Sequence, residues 1–150
     1  MRKVLFVCHG NICRSVMAEY IFKYKAKDLD FYCESRGVSN EEYGNDIYPS
    51  AKKCLDKHNI PYNRHHAKKI SKEDYEYFDD IYIMDSSNEY YLEKMIDDYK
   101  HKIKKLCDYD IDDPWYTGDF EGVYREICEG IDTIIHTIWL SINFLKQIIV

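Results

Sequence analysis

The chain has 150 residues, a formal net charge of −6 and 45% hydrophobic residues. This length suits a single domain with one core, so we predict one domain over residues 1–150. The acidic balance argues against a general nucleic-acid binder, because contacts to phosphates need a basic surface.

The start of the chain and its cysteines bear on the compartment. Met1-Arg2-Lys3 leads into only four apolar residues and no apolar run reaches about 18 residues, so we expect neither a secretory leader nor a stable membrane insertion. Three disulfides are conceivable in a secreted protein, but without a leader we expect reduced thiols and a cytoplasmic protein. We expect no metal ion and no cofactor, because there is no CxxC pair and no cysteine–histidine pairing at zinc spacing among the six cysteines, at positions 8, 13, 33, 54, 107 and 128.

Along the chain, short apolar runs alternate with helical patterns, which is typical of an α/β fold with a parallel sheet flanked by helices. The predicted strands cover residues 4–7, 31–35, 79–84 and 103–107. The predicted helices begin after Ser15 and then cover residues 49–58, 89–99 and the C-terminal segment from about 121.

The C-terminal helix is unusually apolar from Ile134 to Val150. We expect its own core to cover most of this tract, with a dimer contact or a membrane-surface contact as alternatives. Apolar residues recur at helical spacing at positions 127, 131, 134, 135, 138, 142, 145 and 149.

The loop after the first predicted strand is the most informative segment. It leads into a helix, whose free N–H groups and positive dipole end attract an anion. Arg14 adds a planar fork that binds two phosphoryl oxygens, and the same positive surroundings favour the nucleophilic thiolate form of Cys8. A small buried cysteine is the plainer alternative. The order of strand, loop and helix instead predicts a phosphate-binding loop with a nucleophile, formed by Cys8-His9-Gly10-Asn11-Ile12-Cys13-Arg14.

These residues, with Val7 before them and Ser15 and Ala18-Glu19 after, resemble the signature of the low-molecular-weight protein tyrosine phosphatases. The resemblance covers nearly the whole chain and continues through Ser35-Arg36-Gly37, His65–Asp74, Met84-Asp85-Ser86-Ser87-Asn88 and Asp113-Pro114-Trp115-Tyr116. It implies a four-stranded parallel sheet. It also implies hydrolysis of phosphotyrosine and small aryl phosphates through a phosphocysteine on Cys8.

The general acid is expected in an acidic segment that contains Asp108, Asp110, Asp112 and Asp113. Charge pattern alone favours a solvated loop. Pro114 stiffens the chain after Asp113, and the family pattern of Asp-Pro-aromatic-Tyr then selects Asp113 as the acid and base.

The resemblance assigns further roles. It implies that the loop is held open by Asn11, Ser15, Ser35 and His65, and that phosphate is bound by His9, Gly10, Asn11, Ile12, Cys13, Arg14 and Ser15. It implies that Cys13 forms a reversible disulfide with Cys8 under peroxide. The substrate pocket is expected to be walled by His9, Ile12, Glu41, Trp115 and Tyr116. Glu41 stands where many relatives have tryptophan, which would disfavour acidic phosphopeptides.

Alternative functions stay open at this point. Arginine phosphatases resemble the pattern, although bacterial examples tend to have threonine at the position of Ile12. Arsenate reductases of the same fold need shuttle cysteines that residues 84–98 lack, and a phosphotyrosine-binding module with weak catalysis is a further possibility. The expected partners are phosphotyrosine proteins, with inorganic phosphate and other oxyanions as inhibitors. We expect a monomer or a weak dimer.

Overall fold

Four parallel strands form the centre of the fold in the order β2-β1-β3-β4. The computed structural model describes residues 1–149. The strands are β1 Arg2–Cys8, β2 Phe31–Gly37, β3 Asp80–Ile83 and β4 Ile103–Lys105. The six helices are α1 Arg14–Lys25, α2 Pro49–Lys57, α3 Lys72–Tyr77, α4 Ser86–Glu93, α5 Pro114–Thr117 and α6 Phe120–Ile149.

The sheet is buried on both faces, which explains the continuous apolar run in β1. Val4 and Phe6 belong to a core that includes residues of α1, α2 and α6. Leu5 and Val7 point to the opposite face and pack with residues of α3 and α4. Side chains alternate along a strand, so an all-apolar strand is stable only when both faces are covered.

The strands bring their carboxyl ends to one edge of the sheet. Cys8 at the end of β1 lies beside Gly37 at the end of β2, and Val7 lies beside Ile83 at the end of β3. Loops that follow these strands therefore meet at one edge, where α/β proteins bind ligands.

The predicted α/β fold with a four-stranded parallel sheet is confirmed, but some element bounds are wrong. The helix predicted over residues 89–99 is α4 and begins at Ser86. Asp85 caps it by accepting a hydrogen bond from the Asn88 backbone N–H at 2.8 Å, and the Asn88 side chain accepts one from the Asp85 N–H at 3.1 Å. This reciprocal capping sets the helix start. The short helices α3 and α5 fall in segments without helical periodicity.

The expectation that the chain's own core covers the apolar C-terminal tract is wrong for its second half. Ile127, Ile131 and Ile134 on α6 are buried. Helix α6 has 30 residues, whereas its neighbours α1 and α2 have 12 and 9. At about 1.5 Å per residue it is far longer than either partner. The large apolar side chains of α6 after residue 138 that are exposed are Trp139, Leu140, Ile142, Phe144, Leu145, Ile148 and Ile149. Val150 lies outside the described residues.

The exposed apolar tract of α6 does not make this helix a candidate membrane span. Within residues 1–149, no helix combines the length and the hydrophobicity needed to cross a bilayer.

Candidate active site

The loop between β1 and α1 is held in shape from below by Asn11. This residue is fully buried and has a left-handed backbone, with φ of 62°. Its side-chain amide donates to Ser15 Oγ at 2.9 Å and to Ser35 Oγ at 3.0 Å. Its backbone carbonyl accepts from His65 Nε2 at 2.7 Å. An unfavourable backbone conformation persists when its surroundings determine it in this way.

A second line of contacts runs from the thiol of Cys8 to the surface. Cys8 Sγ lies 3.0 Å from Ser15 Oγ, which the Asn11 amide joins to Ser35. Ser35 donates to Glu19 Oε1 at 2.6 Å, and Lys23 donates to Glu19 Oε2 at 2.6 Å. No site role is predicted for Glu19 from the sequence, although Ala18-Glu19 stands in the quoted signature.

Arg14 opens α1 and is 2% exposed. Its Nη1 donates to Asp85 Oδ2 at 2.6 Å and to the Ile111 carbonyl at 2.8 Å. Burial disfavours the charged guanidinium, but the charges of Cys8, Asp85 and Asp113 outweigh it and raise the pKa of Arg14. The guanidinium is therefore a fixed positive charge beside the thiol.

Asp85 is a site residue that sequence reasoning missed. It follows β3 at the carboxyl edge of the sheet and caps α4, so its carboxylate is held firmly against Arg14. Its position directly after a predicted strand is a signal in the sequence by which Asp85 can be recognised as a site residue.

Asp113 stands across the pocket from the loop. It caps α5, where its Oδ1 accepts from the Trp115 N–H at 3.1 Å, and its Oδ2 lies 3.5 Å from Arg14 Nη2. Pro114 occupies the first helical position. Among the four aspartates of residues 108–113, Asp113 is the one that lines the pocket. Asp110 instead binds Ser86 and Lys105.

The pocket has a volume of about 140 Å³. Trp115 forms part of its wall and packs on Tyr48, with ring centroids 4.9 Å apart. His9 Nε2 lies 3.6 Å from Glu41 Oε2, and the His9 ring packs edge-on against the Tyr91 ring. Glu42 and the supporting aromatics were not predicted. The lining residues are Cys8, His9, Gly10, Ile12, Cys13, Arg14, Glu41, Glu42, Asp113, Trp115 and Tyr116.

The remaining predicted residues lie beneath the loop instead of in the pocket. Asn11, Ser15, Ser35 and His65 are all buried and joined by the hydrogen bonds described above. Burial lowers the pKa of His65, which favours its neutral ring.

Cys8 and Cys13 are both reduced and buried, and both line the pocket. Burial, followed by the charges of Cys8 and Asp113, raises the pKa of Cys13. At neutral pH Cys13 is therefore a neutral thiol.

Gly37 allows the loop to rest on the end of β2, a role that sequence reasoning also missed. A Cβ on this residue would lie 2.7 Å from the His9 carbonyl oxygen and 3.1 Å from the Asn11 nitrogen. The neighbouring Val38 N–H donates to the carbonyls of Cys8 and His9 at 2.9 and 3.0 Å. Only glycine permits this close backbone contact.

A parallel sheet with a cysteine and a buried arginine in a pocket at its carboxyl edge is the arrangement expected of a cysteine-dependent phosphatase. A family model described as low molecular weight phosphotyrosine protein phosphatase matches residues 3–146, and the chain belongs to this family.

Several relatives are similar over nearly their whole length. The low molecular weight protein-tyrosine-phosphatase PtpA of Staphylococcus aureus is 36% identical, with 98% of this chain and 99% of that protein covered. The crystal structure of YfkJ from Bacillus subtilis superposes with a TM-score of 0.89 at 35% identity, covering 94% and 96% of the two chains. A Drosophila arginine phosphatase superposes with a TM-score of 0.82 at 31% identity, covering 92% and 98%.

Proposed function

We propose that this protein tyrosine phosphatase hydrolyses phosphotyrosine by double displacement, with Cys8 as nucleophile, Arg14 as phosphate ligand and Asp113 as general acid and base. The observation that carries the proposal is that these three side chains line one cavity, with Arg14 2% exposed and held by Asp85. A buried, oriented guanidinium next to a thiol suits the stabilisation of a phosphoryl group in transfer.

In the first step the Cys8 thiolate attacks phosphorus and the bond to the tyrosine oxygen breaks. Asp113 gives its proton to the leaving oxygen, while Arg14 and the loop N–H groups bind the equatorial oxygens. In the second step a water molecule attacks phosphorus and gives a proton to Asp113. The sulfur–phosphorus bond breaks and Cys8 leaves as a thiolate, which the nearby Ser15 hydroxyl is placed to stabilise.

The Cys8→Ser variant tests the nucleophile. It should lose turnover of p-nitrophenyl phosphate but keep binding of inorganic phosphate, and rapid acid quench of the unchanged protein should trap a phosphate adduct on Cys8. Turnover that survives the substitution would overturn the proposal.

Asp113→Ala tests the general acid, with the exposed neighbour Asp112→Ala as the matched control. The loss of kcat/KM should be larger for alkyl phosphates than for p-nitrophenyl phosphate, because kcat/KM reports the transfer to Cys8 and p-nitrophenolate leaves without a proton. Equal losses for both substrates would instead assign Asp113 a structural role.

The pocket walls support an aromatic substrate of low negative charge. Trp115, which packs on Tyr48, offers an aromatic wall for a phenyl ring. Glu41 and Glu42 add two carboxylates at the same cavity, and they would repel acidic residues beside the phosphotyrosine. Glu41→Gln should therefore improve kcat/KM for acidic phosphopeptides more than for neutral ones.

Arginine phosphatase activity is the second candidate, because a relative with that name shares the fold. The apolar side chain of Ile12 in the cavity favours a phenyl ring over a guanidinium. Matched phosphotyrosine and phosphoarginine peptides test this choice. A higher kcat/KM for phosphoarginine would reverse it.

Cys13 lines the same pocket as Cys8, which supports a redox role for this pair of cysteines. Peroxide would oxidise the two thiols of Cys8 and Cys13 to a disulfide, with two electrons and two protons passing to the peroxide to give water. Activity lost to peroxide should return with a thiol reductant, whereas Cys13→Ser should lose it irreversibly. Reversible inactivation of Cys13→Ser would contradict this role.

The remaining parts of the proposal concern the inhibitors, the compartment and the oligomeric state of the protein. Inorganic phosphate and other oxyanions should inhibit competitively, because they fill the loop that binds the phosphoryl group. We infer a cytoplasmic location, because a nucleophilic thiol such as that of Cys8 persists in a reducing compartment. The protein is a monomer or a weak dimer in this proposal, which the mass of the chain in solution tests.

A further inference from the structure

A second cluster of reactive side chains lies between α2 and α6. It consists of Cys54, His58 and Glu121, which each offer one ligand atom, and these atoms all lie within 4.8 Å of one another. Cys54 and the α2 cap residue His58 are four positions apart and so share one face of the helix. Glu121 is in the first turn of α6.

The contacts within the cluster are close to those of a metal site. His58 Nε2 lies 2.7 Å from Glu121 Oε2, and Cys54 Sγ lies 3.6 Å from Glu121 Oε1. In a tetrahedral zinc site the ligand atoms are about 3.2 to 3.7 Å apart, given bonds of about 2.0 to 2.3 Å to the metal. A rotation of the half-exposed Glu121 side chain, 38% accessible, would open the first distance to that range.

The imidazole is already oriented for this role. The His58 ring stacks on the Tyr124 ring with centroids 3.8 Å apart and an interplanar angle of 8°. This contact holds Nε2 towards Glu121, so little rotamer freedom remains to be lost on binding a ligand. Lys57 Nζ lies 3.5 Å from Glu121 Oε1, but this side chain is 67% exposed and free to withdraw.

We propose that Cys54, His58 and Glu121 bind a Zn²⁺ ion, with water as the fourth ligand. A thiolate, an imidazole and a carboxylate form a donor set that suits zinc. The thiolate and the carboxylate neutralise the two charges of the ion, and the thiol proton of Cys54 passes to solvent on binding. The accessible side of His58 and Glu121 leaves an entry path and a place for the water.

The ion would join two elements that support the wall of the active site. Phe120, the neighbour of Glu121, stacks on Tyr48, and Tyr48 packs on Trp115. Zinc bound in the folded state should therefore raise the melting temperature of the protein by mass action.

No metal site is expected from the sequence because no cysteine–histidine pairing at zinc spacing is recognised there, and this expectation passes over Cys54 and His58, which are four positions apart. The pair on α2 is completed by a ligand 63 residues after His58, which a spacing rule within one segment does not detect.

A cobalt titration of the full chain tests the proposal, in a Cys8→Ser background that removes the active-site thiol. Co²⁺ should produce one thiolate-to-cobalt charge-transfer band per chain, and Zn²⁺ should displace it. Cys54→Ser should abolish the band. His58→Gln and Glu121→Gln should each weaken Zn²⁺ binding by about 10-fold to 100-fold or more, since even outer partners of metal ligands have effects of that size.

His136→Gln and Glu129→Gln are the matched controls, because both residues are exposed on α6 and outside the cluster. They should leave the affinity unchanged. The melting temperature without metal verifies that each variant is folded, and added Zn²⁺ should raise it less for His58→Gln than for the controls. A parent protein without the band, or a band and Zn²⁺ affinity that persist in the ligand variants, would show that the cluster is only a hydrogen-bonded contact and overturn the proposal.

Discussion

Replacement of Ser35 by alanine is expected to destabilise the protein through a single buried hydroxyl group. Ser35 is 2% exposed and its Oγ makes two hydrogen bonds. It accepts from the Asn11 side-chain amide at 3.0 Å and donates to Glu19 Oε1 at 2.6 Å. Alanine removes both bonds and leaves the two partners buried.

The size of the effect follows from the two partners. An unsatisfied buried donor such as the second N–H of Asn11 costs about 1 to 3 kcal/mol, and a bond to a charged group contributes about 1.5 to 3 kcal/mol. Glu19 keeps its ion pair with Lys23, so the loss of its hydrogen bond from Ser35 costs a free energy at the lower end of the second range. We expect the free energy of unfolding to fall by about 3 kcal/mol in total, a large part of the about 5 to 15 kcal/mol typical of a domain.

Urea unfolding measures the change, with Ser141→Ala as the control. The Ser141 hydroxyl also makes one hydrogen bond, to the Thr137 carbonyl at 3.1 Å, but it is exposed. Its loss should cost no more than about 0.5 kcal/mol. The inhibition constant for inorganic phosphate should rise in Ser35→Ala, because Asn11 shapes the phosphate loop. An unfolding free energy within about 1 kcal/mol of the unchanged protein would refute the reasoning.

Three further predictions follow from the site. Gly37→Ala should lower kcat/KM for p-nitrophenyl phosphate by about 10-fold or more, because the added Cβ meets the His9 carbonyl and displaces the phosphate loop. An unchanged kcat/KM would contradict this close contact. Asp85→Asn should raise KM by about 10-fold while keeping the cap of α4, because the substitution removes the negative charge that orients Arg14. Steady-state kinetics measure the KM, and a constant KM would argue against the role of Asp85 in orienting Arg14. Because burial lowers the pKa of His65 below its usual 6.5, stability should be complete above that pH and fall as the pH drops towards the lower native value. His65→Gln should make unfolding free energies less dependent on pH over this window, and an equally steep profile would exclude His65 as the cause.

Much of the fold could be predicted because its signals are local. The apolar run of β1, the loop after it and the amphipathic start of α6 are patterns within a few residues, and burial on both faces of a parallel sheet produces such runs directly. The start of α4 was missed although a local signal existed. Asp85 and Asn88 have the spacing of a reciprocal cap, which periodicity alone does not register.

The C-terminal half of α6 marks a limit of the same method. Ile127 and Ile142 both fit the apolar periodicity of the helix, yet the first is fully buried and the second is 43% exposed. Periodicity defines which side of a helix is apolar, but the lengths of the neighbouring helices decide how far that side is covered.

The amino-acid sequence alone determined the α/β class, the phosphate loop and the candidate set of Cys8, Arg14 and Asp113, because order along the chain and short motifs carry them. The tertiary structure decided that Asp85 holds Arg14, that Glu19 accepts a hydrogen bond from the buried Ser35, and that Cys54 and Glu121 meet. These contacts join segments that are far apart in the chain. They depend on the register of the sheet and the packing of helices on it, which no local pattern specifies.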